Sequence, residues 1–228
     1  NEMISCSTVI SRFMKGIYVD NPPKPKYTFT WDVSIVLRFL KTFWPLEELS
    51  LKKSYIKTSG TSCFIYSQRV HTLNCLKLSL LANFGDYVVF TIDELTKTSK
   101  PGKKLQKIRI DKFSDKALCV INTLVFYLKT TSKIRKTERL LISFKTYKEV
   151  STSFIARWLK EVLKLSGINT GIFSAHSYRG ASTSCAFSSG VFFKDILTAN
   201  WTNAKTFYKF YNRDLQCSFS NYVLSTMD

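Results

Sequence analysis

The sequence has 228 residues, and its 34 lysines and arginines outnumber 16 aspartates and glutamates, which gives a formal net charge of +18. Because so large an excess of one sign repels itself, it predicts a polyanionic partner, with nucleic acid favoured over an anionic membrane surface. A hydrophobic content of 45% excludes wholesale disorder. No signal peptide opens the sequence, and no apolar run approaches the roughly 20 residues of a membrane-spanning helix.

The cysteines and histidines argue against a metal centre. Six cysteines are scattered without a C-x-x-C pair, and the two histidines, His71 and His176, are far apart. Zinc sites usually draw on clustered ligands, so we expect no metal. A reduced, intracellular compartment fits this cysteine usage best.

The first third of the chain is predicted to be helical. A helix closes near Arg12 to Ile17, and residues 22–26, which are rich in proline and lysine, form an extended connector. Thr30 is the predicted N-cap of the next helix, which ends before Pro45. Its apolar face has helical spacing: Val33, Val36, Leu37 and Leu40. A second helical region is expected from Leu46, although residues 52–62 are unusually polar for a core helix.

The middle of the chain predicts a β-hairpin or a small antiparallel sheet. Residues 87–92 have strand composition, residues 105–110 alternate apolar with polar side chains, and residues 99–102 supply turn chemistry. The cations of this element are Lys97, Lys100, Lys103, Lys104, Lys107 and Arg109.

Helical patterns then resume, so the predicted fold class is α+β, mainly helical. Two amphipathic helices are indicated by the following sets: Leu118, Ile121, Val125 and Leu128, then Phe154, Trp158, Val162 and Leu165. Gly167 stops the second. Ser174 is the predicted N-cap of a helix that carries His176 and Arg179 and ends near Gly190. Shorter helices are expected over 195–199 and 203–211.

His176 and Arg179 are the most informative pair, since positions three apart share one face of a helix. The imidazole exchanges protons near neutrality, and the guanidinium is a permanent fork for phosphate oxygens. Trp201 and Tyr211 follow, and this set suits metal-free attack on a phosphodiester. Their order resembles the catalytic domain of tyrosine recombinases, the phage-integrase-like family, in its mobile-element type.

The resemblance assigns roles residue by residue. Arg69 matches the family's first arginine, which with Arg179 would clamp the non-bridging phosphate oxygens. Lys97 matches the hairpin lysine that protonates the leaving oxygen, and Lys100 is its competitor. His176 would assist proton movement, and Trp201 would donate its ring N–H to a phosphate oxygen. The remaining assignments are Tyr211 as nucleophile, ahead of Tyr208, phosphate contacts from Lys100, Lys103, Lys104 and Lys107, and a structural or DNA-backbone-facing role for His71.

The resemblance also implies the reaction and the partners. Tyr211 would cleave and rejoin double-stranded DNA through a covalent 3′-phosphotyrosine intermediate, without metal or cofactor. Four protomers would assemble on two DNA sites and exchange C-terminal segments. Residues 212–228 are either such a tail or an ordinary terminal helix. Residues 1–29 would be the remnant of an N-terminal core-binding region and linker, and residues 30–228 the catalytic domain. The expected location is the nucleus if the host is eukaryotic. A non-catalytic DNA-binding module and a type IB topoisomerase-like activity are the alternatives.

Overall fold

The computed structural model of the chain describes residues 7–22, 24, 26–66, 69–97, 99, 102, 104–198, 207–208 and 212–215. The helices are α1 (Thr8–Asp20), α2 (Val33–Lys41), α3 (Leu51–Tyr66), α4 (Val70–Asn74), α5 (Val120–Thr131), α6 (Thr152–Leu165), α7 (Ser177–Ser188) and α8 (Phe193–Thr198). The strands are β1 (Phe29–Thr30), β2 (Leu81–Asn83), β3 (Tyr87–Ile92), β4 (Gln106–Asp111) and β5 (Asp214–Leu215). The predicted α+β fold, mainly helical with a small antiparallel sheet, is confirmed. None of the described helices combines the length and the apolar character that a membrane crossing requires.

Helix α3 is the centre of the fold, because α2, α5, α6 and α7 all contact it. Its residues 54–63 are all buried, although most of them are polar. The hydroxyls of Thr58 and Thr61 donate to the carbonyls of Ser54 and Lys57, each at 2.8 Å. Since a buried hydroxyl costs little once it is hydrogen-bonded, these two threonines are tolerated in the core. The helical region predicted from Leu46 is therefore present, with α3 beginning at Leu51, and its unusually polar stretch lies in the core.

The sheet has the order β2-β3-β4 and is antiparallel throughout. In β3, Val88, Phe90 and Ile92 point into the core, and in β4 Ile108 and Ile110 do the same. The alternating pattern read from the sequence therefore reports the sheet's two faces. The described pairing runs from Tyr87 opposite Asp111 to Ile92 opposite Gln106, which confirms the predicted hairpin.

Two predicted helix starts differ from the structure. Asp32, not Thr30, caps α2, and its Oδ1 accepts from the Ser34 N–H at 2.8 Å. Thr30 instead lies in β1 and is buried. Helix α7 begins after His176, which is its N-cap, so Ser174 lies two residues before the cap. Both errors arise because a serine, threonine or aspartate near a helix start is a plausible cap by chemistry alone.

The apolar faces of α5 and α6 are only partly as predicted. Val125 is 55% exposed, and Phe154 and Leu165 are also exposed. The core face of α6 is formed by Ile155, Trp158, Leu159, Val162 and Leu163. Gly167 and Gly190 follow α6 and α7 with positive φ angles of 86° and 80°, as expected of glycines that end helices.

A short parallel ladder joins the segment before α2 to the segment after position 211. Strand β1 pairs with β5, with Phe29 opposite Asp214 and Thr30 opposite Leu215. The two strands are far apart in sequence, and neither was predicted. The segment that follows position 211 therefore returns to the segment that precedes α2.

Candidate active site

The start of α7 is fixed by the two residues between His176 and Arg179. The Ser177 hydroxyl accepts from the Trp31 ring N–H at 2.9 Å, and the Tyr178 hydroxyl donates to the Leu159 carbonyl at 3.1 Å. Trp31 and Tyr178 also make an edge-to-face ring contact at 5.3 Å. These buried contacts fix the orientation of α7 about its own axis. His176 and Arg179 therefore lie on the side of the helix opposite Ser177 and Tyr178.

His176 and Arg179 differ in their exposure to solvent. His176 is exposed at the N-cap of α7, and Arg179 lies one turn further on with 1% of its surface exposed. A charge buried to this degree occupies a fixed position, since it keeps little freedom to reach solvent.

Arg69 is the N-cap of α4 and shares a cavity of about 530 Å³ with His176. The other lining residues are Val70, Ser153, Ala156, Arg157, Lys160, Ser174 and Ala175. The cavity therefore lies between the start of α4, the start of α7 and one face of α6. Its three guanidinium and ammonium groups make it suited to an anion.

Lys97 lies in the connection between β3 and β4, and this connection is held in place by contacts with other elements. Glu94 forms ion pairs with Arg139 at 2.6 Å and with Lys77 at 3.2 Å. The carbonyl of Leu95 lies 3.3 Å from Nε2 of His71, a residue of α4. His71 thus links the helix that Arg69 caps to the loop that carries Lys97. Of the two roles considered for His71, structural or facing the DNA backbone, this contact agrees with the structural one.

The positive charges converge on His176. Its pKa is lowered by partial desolvation of the ring and then by the charges of Lys26, Arg179, Arg69 and Lys97. Three of these four cations were predicted as site residues, and they come from three separate elements. The cluster can hold a phosphate group and keep the imidazole neutral at lower pH than usual.

Lys26, Arg157 and Lys160 were missed by sequence reasoning. Lys26 Nζ lies 3.4 Å from the Ser174 hydroxyl, in the connector that was interpreted as a linker. Arg157 and Lys160 are three positions apart on α6, on the side that faces the cavity. That spacing was a usable signal, but a charged stripe on an amphipathic helix is usually only its solvated face.

Several predicted residues fall outside the described part of the chain: Trp201, Tyr211, Lys100 and Lys103. Lys104 and Lys107 are described, and both are exposed. Tyr208 stacks on Phe193 with ring centroids 5.2 Å apart, in an aromatic cluster with Phe187 and Phe207.

Both flanks of position 211 lie near α7. Before it, the fully buried Phe207 makes a ring contact with Phe187 of α7 at 5.7 Å. After it, the Arg213 N–H donates to the Ser184 hydroxyl at 3.1 Å. The helix that carries Arg179 therefore contacts the chain on either side of the predicted nucleophile.

Comparison with known proteins relates the fold to one class of enzymes. No family model and no curated protein matches the sequence. The XerA recombinase structure is 14% identical with a TM-score of 0.61, over 96% of this chain and 71% of that one. The XerH site-specific recombinase bound to its difH substrate is 12% identical with a TM-score of 0.62, over 90% and 54%.

A lambda integrase tetramer bound to a Holliday junction is 14% identical with a TM-score of 0.52, over 90% of this chain and 58% of that one. The chain thus spans 71% of the XerA chain and little more than half of the XerH and lambda integrase chains. At such low identity the likeness concerns the fold. The described residues have the fold of the tyrosine recombinase catalytic domain.

Proposed function

We propose that the protein cleaves and rejoins double-stranded DNA by transesterification, through a covalent 3′-phosphotyrosine at Tyr211. The observation that carries this proposal is that Arg69 shares a cavity with His176, on whose ring the charges of Arg179 and Lys97 also act. These residues come from the start of α4, the β3–β4 connection and the start of α7. A general affinity for polyanions needs positive charge but no such arrangement around one imidazole.

The chemistry would proceed in two balanced steps. The Tyr211 oxygen attacks the phosphorus and loses its proton, while the bond from phosphorus to the 5′-oxygen breaks. Lys97 gives a proton to that leaving oxygen, and His176, held neutral, assists the proton that leaves the tyrosine. A 5′-hydroxyl then attacks the phosphorus and gives its proton to Lys97, while the bond from phosphorus to the Tyr211 oxygen breaks and His176 assists the return of a proton to the tyrosine. One phosphodiester bond is thus restored for the one that was broken.

Arg69 and Arg179 would stabilise the transition state. As the phosphorus becomes pentacoordinate, charge grows on its non-bridging oxygens, and fixed guanidinium groups meet that charge without reorganisation. The burial of Arg179 and the hydrogen-bonded start of α7 supply this rigidity. Trp201 would add a ring N–H donor to the same oxygens.

The test is covalent trapping on a nicked duplex, from which the short 5′-hydroxyl fragment diffuses away after cleavage. Because the target sequence is unknown, a pool of duplexes with randomised centres is used, and adducts are isolated under denaturing conditions. We expect an adduct from the unaltered protein and none from Tyr211→Phe. Arg69→Ala and Arg179→Ala should each slow its formation by about 10²–10³-fold.

Tyr208→Phe is the matched control, since it removes the same hydroxyl three positions earlier from an aromatic cluster. It should form adduct at the normal rate. Loss of the adduct in Tyr208→Phe but not in Tyr211→Phe would identify Tyr208 as the nucleophile. DNA binding without any adduct in the unaltered protein would favour the alternative function, a non-catalytic DNA-binding module.

The proposed assembly follows from the same chemistry. Strand exchange needs two duplexes, so we propose protomers that act together on DNA, with residues 30–228 as the catalytic domain and residues 1–29 as the remnant of a core-binding region and linker. The XerH and lambda integrase structures are complexes with DNA, and one of the latter is a tetramer. Phosphate contacts from Lys104 and Lys107 belong to this proposal.

A further inference from the structure

The segment before β1 is fastened to the loop that leads into α7. The Tyr27 hydroxyl is 2.8 Å from the Ser174 hydroxyl, and the rings of Tyr27 and Phe29 each lie 5.5 Å from the ring of Phe173. Phe173 is buried, so these contacts are part of the core. Lys26 therefore belongs to a fixed segment, although it precedes the first strand.

This attachment places the Lys26 ammonium beside the active-site cavity. Its Nζ lies 3.4 Å from the Ser174 hydroxyl, and Ser174 lines the cavity together with Arg69 and His176. The Lys26 side chain is exposed, and no ion pair within the described residues involves it. The ammonium is thus available to an anion that enters the cavity.

The charge of Lys26 acts on His176. Among the positive charges that lower the pKa of His176, Lys26 precedes Arg179, Arg69 and Lys97. Arg157 and Lys160 face the same cavity from α6. Because its ammonium lies beside the cavity that Arg69 lines, Lys26 is in a position to bind the same group as that arginine.

We propose that Lys26 is a phosphate-binding residue of this active site, whose ammonium contacts the DNA phosphate held between Arg69, Arg179 and His176. This inference rests on the proposed function, which supplies the phosphate. As negative charge builds on the pentacoordinate phosphorus, the ammonium would contribute attraction in addition to that of the two guanidiniums.

The first test measures binding rather than cleavage, in a Tyr211→Phe background where no adduct forms. Affinity for a short duplex is measured against salt concentration. Lys26→Met should lower the slope of log K against log salt by about 0.9, the value for one lost phosphate contact. Lys26→Arg should restore the slope. Lys24→Met is the matched control, because Lys24 is an exposed lysine of the same connector.

The second test follows the histidines by NMR. The chain has two, so the His176 ring signals are assigned by one substitution at His71. Removing a nearby positive charge makes protonation easier, so Lys26→Met should raise the pKa of His176 and Lys24→Met should leave it unchanged. In the cleavage assay, Lys26→Met should slow adduct formation by about 10²-fold and move the acid limb of the pH profile to higher pH.

Equal losses from Lys24→Met and Lys26→Met would show a general effect of charge and would overturn the inference. An unchanged slope and an unchanged His176 titration in Lys26→Met would overturn it as well. Absence of adduct in the unaltered protein would contradict the proposed function alone, since the binding and NMR measurements do not depend on cleavage.

Discussion

At the scale of single residues, Lys57 shows how the core tolerates a charged side chain. It lies in the middle of α3 with its side chain fully buried. Its Nζ donates to the Phe43 carbonyl at 2.7 Å, and the ring of Trp44 lies 5.9 Å away. Burial lowers the pKa of Lys57 from 10.5 to about 8. Because a neutral amine can still donate to Phe43, the hydrogen bond survives the loss of the proton.

This pKa predicts an unusual dependence of stability on pH. Between about pH 8 and 10.5 the unfolded chain holds the Lys57 proton and the folded chain releases it. The contribution of Lys57 to the free energy of unfolding therefore rises with pH across that window, by about 1–3 kcal/mol. At pH values below the window, the folded protein bears the full cost of burying the charged ammonium. Urea unfolding of the unaltered protein and of Lys57→Met, at about pH 7.5 and 9.5, measures the difference. Equal pH responses of the two proteins would contradict the assignment.

At the scale of elements, the packing of α2, α3 and α6 depends on the absence of a side chain at Gly60. A β-carbon there would lie 3.2 Å from Cδ2 of Leu40 and 3.6 Å from Cγ2 of Val162. Both neighbours are fully buried. The glycine costs α3 helical propensity of about 1 kcal/mol, and it allows the three helices to approach closely.

Gly60→Ala is expected to destabilise the fold by about 1 kcal/mol. Overpacking of about 1–3 kcal/mol is expected to outweigh the gain of propensity, because Leu40 is fully buried. Leu40→Ala supplies that space and costs about 2–5 kcal/mol by itself. In this background Gly60→Ala should become stabilising. Additive effects of the two substitutions in chemical unfolding would show that the crowding is absent.

The sequence predicted the helices and strands well, but it predicted poorly where individual side chains lie in the fold. The hairpin and the helices were evident because their apolar periods are long and regular. The burial of the polar helix α3 was not evident, since the hydroxyls of Thr58 and Thr61 donate to carbonyls one turn earlier, which composition does not reveal. The site residues Arg69, Lys97, His176 and Arg179 were chosen through a resemblance. Lys26 was missed, because its place depends on a contact with Ser174, 148 positions away.

At the scale of the whole molecule, the net charge of +18 sets the terms of binding. Cations are grouped around the cavity, and Lys104 and Lys107 are further exposed cations of the hairpin. Each phosphate neutralised by such a cation releases condensed counterions from the duplex. The affinity for DNA should therefore fall steeply as salt is added.

We expect binding to weaken by about 10³–10⁵-fold between about 50 and 200 mM salt, which corresponds to 6–10 phosphate contacts. Replacing both Lys104 and Lys107 with glutamine should reduce the slope by about 2, on specific and unrelated duplexes alike. Fluorescence anisotropy at a series of salt concentrations measures it. A double variant that keeps the original slope would place the hairpin away from the duplex.

The pairing of β1 with β5 gives the molecule a mechanical property. A force applied to the chain before Phe29 acts on the main-chain pairing of β1 with Asp214 and Leu215. Asp214 lies three residues after Tyr211. Whatever holds the chain ahead of β1 would therefore pull on the stretch that carries the proposed nucleophile. Under the proposed function, tension as well as chemistry would set the timing of cleavage.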